Sequence, residues 1–171
     1  RQAAQILIVN NAHRIVSGEI QEQNDRRSDF FFMETASEEE TLRLVIDLCK
    51  TRLPKSYGYS PMEDIQVLCP SRLGAAGTQN INKELQLALN PPSRNHPEVK
   101  FGNTLFRTGD KIMQTKNDYD VEWRKGAELS HGIFNGDIGI IRRADKVNNR
   151  LDIDFDGRAA TYDIEMMNRI E

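Results

Sequence analysis

The chain has 171 residues, of which 38% are hydrophobic and 29% are charged, and its formal net charge is −3. This composition is typical of a soluble globular protein with one domain or two small ones. The negative charge argues against a protein that grips nucleic acid by bulk attraction, because such domains usually carry a basic field. No apolar run approaches the roughly 20 residues that span a bilayer. No membrane partner is therefore predicted.

The first part of the chain predicts a helix and then a strand. Apolar residues at helical spacing over residues 3–16 predict a helix that ends at Ser17-Gly18, where glycine can adopt a left-handed conformation. Residues 29–34 contain three consecutive phenylalanines, which suit a strand that is covered on both faces, as in a parallel sheet. A chain that begins at Arg1 without an initiator methionine is expected to be a piece of a longer protein.

A second helix is predicted after a capping box. Ser37 stands at the N-cap position and Glu40 three residues later. The helix is expected to stop before Pro54, because proline disfavours the helical conformation of the residue that precedes it. Its Cys49 and the chain's other cysteine, Cys69, lie where a thiol acts as a small hydrophobe, which indicates a reduced, cytoplasmic setting.

The central stretch predicts a strand, a loop and a helix. Residues 65–69 are apolar and indicate a buried strand, and residues 70–77 form a loop with Arg72 and Gly74. Thr78 is predicted to be the N-cap of the next helix. A helix N-terminus offers free N–H donors, so this loop is a candidate anion site. The alternative is an ordinary turn whose glycines serve only the backbone; no Walker A loop occurs in the chain.

Helices and strands alternate up to this point, which predicts a parallel α/β layer. The three prolines of residues 90–97 predict a domain boundary, so that residues 1–97 and 98–171 form separate domains. The second domain is predicted to be a small SH3-like β-barrel of roughly five strands. The strands expected in it are residues 111–115, 138–142, 151–155 and 160–163.

Turn residues support the barrel. Asp156-Gly157 predicts a two-residue hairpin, and Asn148-Asn149 and Asn135-Gly136 predict two further turns. Residues 117–134 are expected to form a long polar loop, and long loops without structure of their own are usually functional or disordered. No set of histidine, cysteine or carboxylate residues has the spacing of metal ligands, so no metal site is predicted.

Several separated motifs occur in an order that resembles the RecD-like helicases, relatives of the exodeoxyribonuclease V alpha subunit in superfamily 1. The resemblance covers nearly the whole chain. The motifs that carry it are Arg1-Gln2-Ala3-Ala4, Asn11-Ala12-His13-Arg14-Ile15, Pro70 with Gly74, Gly77-Thr78, Asn90-Pro91, Gly109-Asp110-Lys111-Ile112-Met113-Gln114, Asn117-Asp118-Tyr119 and Asn135-Gly136-Asp137-Ile138-Gly139.

The resemblance implies part of the second RecA-like motor domain, with the SH3-like barrel inserted into it. In that family ATP and Mg²⁺ lie between two RecA-like domains while the motor moves 5′ to 3′ on single-stranded DNA. Arg1, with Gln2 beside it, matches the motif that reaches the γ-phosphate, where a guanidinium can stabilise developing charge. The residues that the resemblance places towards DNA are Arg72, Gly74, Thr78, Asn82, Asn117 and Tyr119.

The resemblance names partners as well as residues. They are single-stranded DNA, the first motor domain of the same polypeptide and, if the parent does not act alone, subunits of a nuclease complex. This piece by itself is expected to hold no cofactor and to be inactive, because the Walker motifs are absent. The alternative is a non-catalytic nucleic-acid or protein-binding module built on the barrel.

Overall fold

The computed structural model of the chain describes residues 5–19 and 29–171. Contacts divide it into a unit that ends at Thr41 and a unit from Leu42 to Glu171. Helix α1 spans Gln5–Val16 in the first unit. It ends at Gly18, whose φ is 80°, and the N–H of Glu19 donates to the carbonyl of Arg14 at 2.8 Å. The predicted glycine end of this helix is confirmed.

Helix α2 spans Glu38–Asp47 and begins with the predicted cap. The N–H of Glu40 donates to the Ser37 hydroxyl at 3.2 Å, and the Glu40 carboxylate accepts from the N–H of Ala36 at 2.7 Å. These two bonds satisfy N–H groups that have no partner inside the helix.

The sequence predicted that this helix stops before Pro54, but the helix continues through the proline. A π-helical stretch, Leu48–Arg52, leads directly into α3, Leu53–Tyr57, with Pro54 in its first turn. The N–H of Leu53 donates to the carbonyl of Leu48, five residues back, so the proline follows a wider π-helical turn instead of interrupting a regular α-helix. The end comes instead at Gly58, whose φ is 74°. In the described residues, no helix is long and apolar enough to cross a bilayer.

The two strands expected in the first half of the chain are not formed. Residues 29–34 and 65–69 are assigned no strand, so the described residues contain no parallel α/β layer. A strand is defined by the neighbour that accepts and donates its backbone hydrogen bonds. Residues 65–69 nevertheless alternate between half-buried and exposed positions, and Leu68 is 87% exposed. That alternation is typical of extended chain with one covered face.

Helix α4 spans Thr78–Leu89 and connects this region to the β-rich part. Its N-cap is Gly77, in an extended conformation, so the prediction that Thr78 caps it was wrong by one residue. The Thr78 hydroxyl donates back to the carbonyl of Ser71 at 3.1 Å. Gly77 is required here because a Cβ atom would collide with the backbone of Leu73.

The β-rich part contains eight antiparallel strands. The elements are β1 Glu98–Phe101, β2 Thr104–Arg107, β3 Lys111–Met113, β4 Asp118–Lys125, β5 Glu128–Ile133, β6 Ile138–Asp145, β7 Arg150–Phe155, β8 Arg158–Asp163 and a 3-10 helix, Ile164–Arg169. Strands β1 and β2 form a hairpin of their own, and the other six form one sheet in the order β3-β6-β7-β8-β4-β5. The bridge between Gln114 and Ile170 joins the end of the chain to the residue after β3.

This part is the small sheet-rich, SH3-like domain that the sequence predicted. Its side chains form a continuous apolar core that includes Ile141, Leu151, Ile153 and Phe155, all exposed by 1% or less. The Asp156-Gly157 hairpin is confirmed, since both residues have positive φ, 53° and 81°.

The sequence predicted a long loop for residues 117–134. The structure shows instead that these residues form mainly the hairpin of β4 and β5. The ladder pairs Asp118 with Ile133 and then Glu122 with His131, so β4 carries extra residues in a bulge. A bulge interrupts strict alternation of apolar and polar residues. The usual strand pattern was therefore hidden in the sequence. The β1–β2 hairpin was also missed.

Candidate nucleic-acid interface

The predicted site residues fall into separate parts of the molecule. Arg1 and Gln2, which were assigned to the nucleotide, lie outside the described residues. Arg72 and Gly74 are exposed in the loop before α4, and Asn82 is exposed on the helix itself. Asn117 and Tyr119 lie at the start of β4. The site predicted from the sequence is therefore divided between two local structures.

The loop before α4 folds back on its own helix. The N–H of Thr78 donates to the carbonyl of Ser71 at 3.0 Å, and the N–H of Gln79 donates to that of Arg72 at 3.2 Å. Gly74 adopts a φ of 97°, which side chains other than glycine rarely tolerate. The loop thus satisfies two of the donors that would otherwise be free for an anion. What it offers to solvent is the exposed Arg72 side chain.

An exposed aromatic pair is the main feature of the second group. The rings of Tyr119 and Phe134 meet edge to face, with their centroids 5.5 Å apart. Tyr119 is 68% exposed and Phe134 is 40% exposed. Edge-to-face packing stabilises aromatic pairs, and exposed ring faces are the surfaces on which nucleic-acid bases stack.

Hydrogen bonds hold the two strands that carry this pair. The Asn117 side-chain oxygen accepts from the N–H of Asn135 at 2.9 Å, which ties the residue before β4 to the residue after Phe134. The Asp118 carboxylate is paired with Arg169. Asn117 therefore braces the site in this structure, which is the structural role that an asparagine in a turn often has.

Gln114 supports the same site from inside the barrel. Its side chain is fully buried; its oxygen accepts from the Tyr162 hydroxyl at 2.9 Å, and its nitrogen donates to the carbonyl of Lys116 at 2.8 Å. Burial raises the pKa of Tyr162, so this hydroxyl stays protonated and remains a donor. The segment that leads into Tyr119 is thus anchored on both sides.

Phe134 was missed by the sequence analysis. Its ring rests against Gly132, where a Cβ atom would lie 2.8 Å from the ring, and Gly132 has a φ of 100°. A glycine two residues before an aromatic residue was the available signal, because glycine in a strand often marks a close approach. Gly132 therefore serves the position of the Phe134 ring.

A buried polar cluster joins α4 to the barrel. The Asp110 carboxylate accepts from the side-chain nitrogens of Gln86 at 2.5 Å and Asn90 at 2.7 Å, and from the N–H of Arg107 at 2.7 Å. Burial raises the pKa of Asp110, although these donors oppose the shift. The Arg107 guanidinium is itself buried and lies 2.5 Å from the Glu98 carboxylate.

A lysine makes a second connection between the two parts. The Lys111 ammonium group, at the start of β3, donates to the carbonyl of Ile65 at 2.9 Å. Its partial burial lowers its pKa. The unpaired residues 65–69 are thus attached to the barrel through a side chain. The described residues contain no group of three or more histidine, cysteine, aspartate or glutamate side chains that could hold a metal ion.

Comparison with known proteins agrees with this architecture. Residues 81–155 match the model of the ATP-dependent RecD-like DNA helicase SH3 domain. The chain is also similar to the ATP-dependent RecD2 DNA helicase of Deinococcus radiodurans, with 31% identity over 157 residues. That alignment covers 92% of this chain and 18% of the relative, so the chain spans about a fifth of the relative's length. These two matches support the assignment of the chain to the RecD-like helicases.

Proposed function

We propose that this chain is a DNA-facing part of an ATP-dependent DNA helicase that moves 5′ to 3′. The support is the similarity along 92% of the chain to a protein named as an ATP-dependent DNA helicase. ATP and Mg²⁺ bind elsewhere in the parent protein, with Arg1 and Gln2 contributing from this chain. Single-stranded DNA is the substrate track, and the first motor domain is the partner within the same polypeptide.

The residues before the barrel are part of a RecA-like motor domain in this proposal. Two features support that assignment. Residues 29–34 precede α2 and residues 65–69 precede α4, and neither segment is assigned to a strand in the described residues. Strands followed by helices are the units of a parallel α/β sheet. Neighbouring strands of the parent protein would complete that sheet.

The observation that carries the DNA-binding proposal is the Tyr119–Phe134 pair. Both rings are exposed, yet their positions are fixed by the bulged β4–β5 hairpin, by Asn117 and by Gly132. A rigid aromatic surface loses little conformational entropy when a base stacks on it. Stacking also needs no basic field, so it is compatible with the net charge of −3.

Replacing the pair tests this role in the intact parent protein. Because stacking is worth about 1–3 kcal/mol per base, we expect Tyr119→Ala or Phe134→Ala to weaken binding of an oligothymidylate by roughly 5-fold to 150-fold. Fluorescence anisotropy at fixed salt measures the Kd. The loss should be smaller for Tyr119→Phe, since that variant keeps the ring.

Tyr57 provides the matched control. It is exposed and stacks on Tyr59 with the ring centroids 5.3 Å apart, but it lies at the end of α3. Tyr57→Ala should leave the Kd for the oligothymidylate unchanged. Equal losses for Tyr57→Ala and Tyr119→Ala would mean that exposed rings in general matter, and unchanged binding by Tyr119→Ala would remove the stacking role.

The nucleotide role of Arg1 is tested separately. In the intact enzyme, Arg1→Ala should lower the ATPase turnover much more than it lowers DNA affinity, because a finger arginine stabilises the transferred phosphoryl group. Turnover and the Kd for DNA are measured on the same preparation. An equal loss of both would contradict a role at the γ-phosphate.

A further inference from the structure

A groove of about 370 Å³ lies between strands β4 and β8 on the barrel surface. We call it the β4–β8 groove. It is separate from the Tyr119–Phe134 pair, because neither ring lines it. Its lining residues are Asp120, Val121, Glu122, Trp123, Arg124, Ala159, Thr161 and Met166.

The groove exists because β4 and β8 separate after a short ladder. Trp123 pairs with Ala160 and Arg124 with Ala159, and the ladder includes no further pairs. Continuing that register would set Glu122 opposite Thr161, but the ladder does not pair them, and both residues line the groove. Beyond the two ladder pairs, the edges of β4 and β8 therefore do not pair with each other. Unpaired strand edges are templates for another extended chain.

The base of the groove is held rigidly. The Trp123 indole N–H donates to the carbonyl of Gly132 at 3.1 Å, and the Arg158 guanidinium lies 5.9 Å from the centre of its ring. Arg158 is in turn 3.1 Å from the Asp137 carboxylate. These contacts fix the indole before any partner arrives, and preorganisation reduces the entropy that binding must overcome.

The charge of the groove favours a cationic partner. Asp120 and Glu122 are exposed along β4, and only Arg124 among the lining residues opposes them. Glu165, just after the end of β8, is exposed as well, while the exposed Asp163 is paired with Arg150 at 2.6 Å. This acidic rim repels a phosphate backbone and attracts lysine and arginine.

The bulge between Asp118 and Glu122 interrupts the alternation along β4 as a whole, but residues 120–123 alternate between exposed and covered side chains. This short alternation specifies the pattern of the partner. Val121 is buried and Trp123 half-buried, while Asp120 and Glu122 point to solvent. A chain that pairs with this strand would present apolar residues beside Val121 and Trp123, and basic residues beside the two carboxylates. We propose that the β4–β8 groove is a docking site for an extended polypeptide segment in which basic and apolar residues alternate. This inference does not depend on the DNA-binding role.

The test uses the 171-residue chain and two octapeptides. In one, lysine alternates with valine; in the other, glutamate replaces each lysine. Amide chemical shifts should move for residues 119–123 and 161–163 with the lysine peptide. The glutamate peptide should bind about tenfold more weakly, because favourable cross-strand charge pairs become repulsive. Added salt should weaken binding of the lysine peptide, since the charge pairs between its lysines and the carboxylates of the groove are exposed.

Two charge reversals on the same hairpin form a matched pair. Glu122→Lys, inside the groove, should weaken binding of the lysine peptide and strengthen binding of the glutamate peptide. Glu128→Lys, at the far end of the hairpin where it pairs with Lys125, should change neither. Amide spectra away from β4 establish that both variants are folded.

Three results would overturn the proposal. The first is equal binding of the two peptides, and the second is a response of Glu122→Lys no different from that of Glu128→Lys. The third is an oligothymidylate that shifts residues 119–123 and 161–163 more strongly than the lysine peptide does, which would make the groove a nucleic-acid site.

Discussion

The barrel and the region from Leu42 to Asn90 differ in how fully their extended segments are paired and their apolar side chains are buried. The barrel pairs eight strands and buries a continuous apolar core. The preceding region has residues 65–69 without a strand partner and leaves Leu68 and Leu73 largely exposed. Hydrophobic burial is the dominant favourable term in folding. The comparison indicates that stability in this unit resides mainly in the barrel, while the preceding region depends on it.

Buried polar groups connect the two regions. Asp110, Arg107, Gln86 and Asn90 form the cluster that joins α4 to the barrel, and Lys111 reaches the carbonyl of Ile65. Buried polar networks require good geometry, since each unpaired member would be costly. They therefore fix an orientation more strictly than an apolar contact of similar size.

The largest expected effect comes from the barrel core. Phe155→Ala should lower the free energy of unfolding by about 3–5 kcal/mol, because Phe155 is fully buried beside Tyr162. Leu68→Ala removes a comparable apolar side chain from an exposed position and should cost less than about 0.5 kcal/mol. Urea denaturation followed by the fluorescence of the single tryptophan, Trp123, measures both. Similar losses would show that the two regions contribute equally.

The ion pair of the buried Arg107 side chain with Glu98 should give the next largest effect. Arg107→Ala leaves the Glu98 carboxylate and the carbonyl of Asn90 without their donor, and should cost about 3 kcal/mol. The control is Arg143→Ala, whose pair with Asp145 is exposed and should contribute less than about 1 kcal/mol. The same urea titration compares them, and a smaller loss for Arg107→Ala than for Arg143→Ala would contradict this account of the connection.

A smaller effect is expected for the α4 side of the cluster. Gln86→Ala removes donors to Asp110 and to the carbonyl of Leu105, and should cost about 1–2 kcal/mol. Amide hydrogen exchange should increase along α4 while the barrel strands stay protected. Gln79→Ala, at an exposed position of the same helix, is the control and should leave exchange unaltered. Faster exchange throughout the barrel would mean that the two regions unfold as one.

The smallest effect concerns pH. Because the pKa of Asp110 is raised in the folded state, the native protein holds this proton more tightly than the unfolded chain does. Its contribution to stability is complete below the usual carboxyl pKa and is lost as pH rises through the raised value. Asp110→Asn should therefore remove part of the decline in unfolding free energy that occurs as pH rises above the usual carboxyl pKa. If the unfolding free energy changes with pH equally in the unaltered protein and in Asp110→Asn, the pKa of Asp110 is not raised in the folded state.

Local signals explain which parts of the fold could be predicted. Ser37 with Glu40, Gly18 and Asp156-Gly157 each encode their structure in a few adjacent residues, and all three were predicted correctly. The hairpin of β4 and β5 was missed because its bulge breaks the alternation that marks a strand. Residues 65–69 have a strand's composition but no partner, and composition cannot supply one. The boundary at residue 97 stays a prediction.

The candidate sites divide in the same way. Tyr119 could be singled out from the sequence, but its pairing with Phe134 depends on the register of two strands and on the close approach at Gly132. The cluster around Asp110 joins residues from α4, β2 and the turn after it, and no spacing along the chain announces it.

By itself, the sequence determined the end of α1, the start of α2, the Asp156-Gly157 turn, the class of the barrel and the resemblance to RecD-like helicases, because each depends on neighbouring residues or on ordered motifs. Only the tertiary structure decided which aromatic rings meet, which polar groups are buried together and where β4 and β8 separate. Those features arise from contacts between residues far apart in the chain, whose geometry is set by packing and strand register.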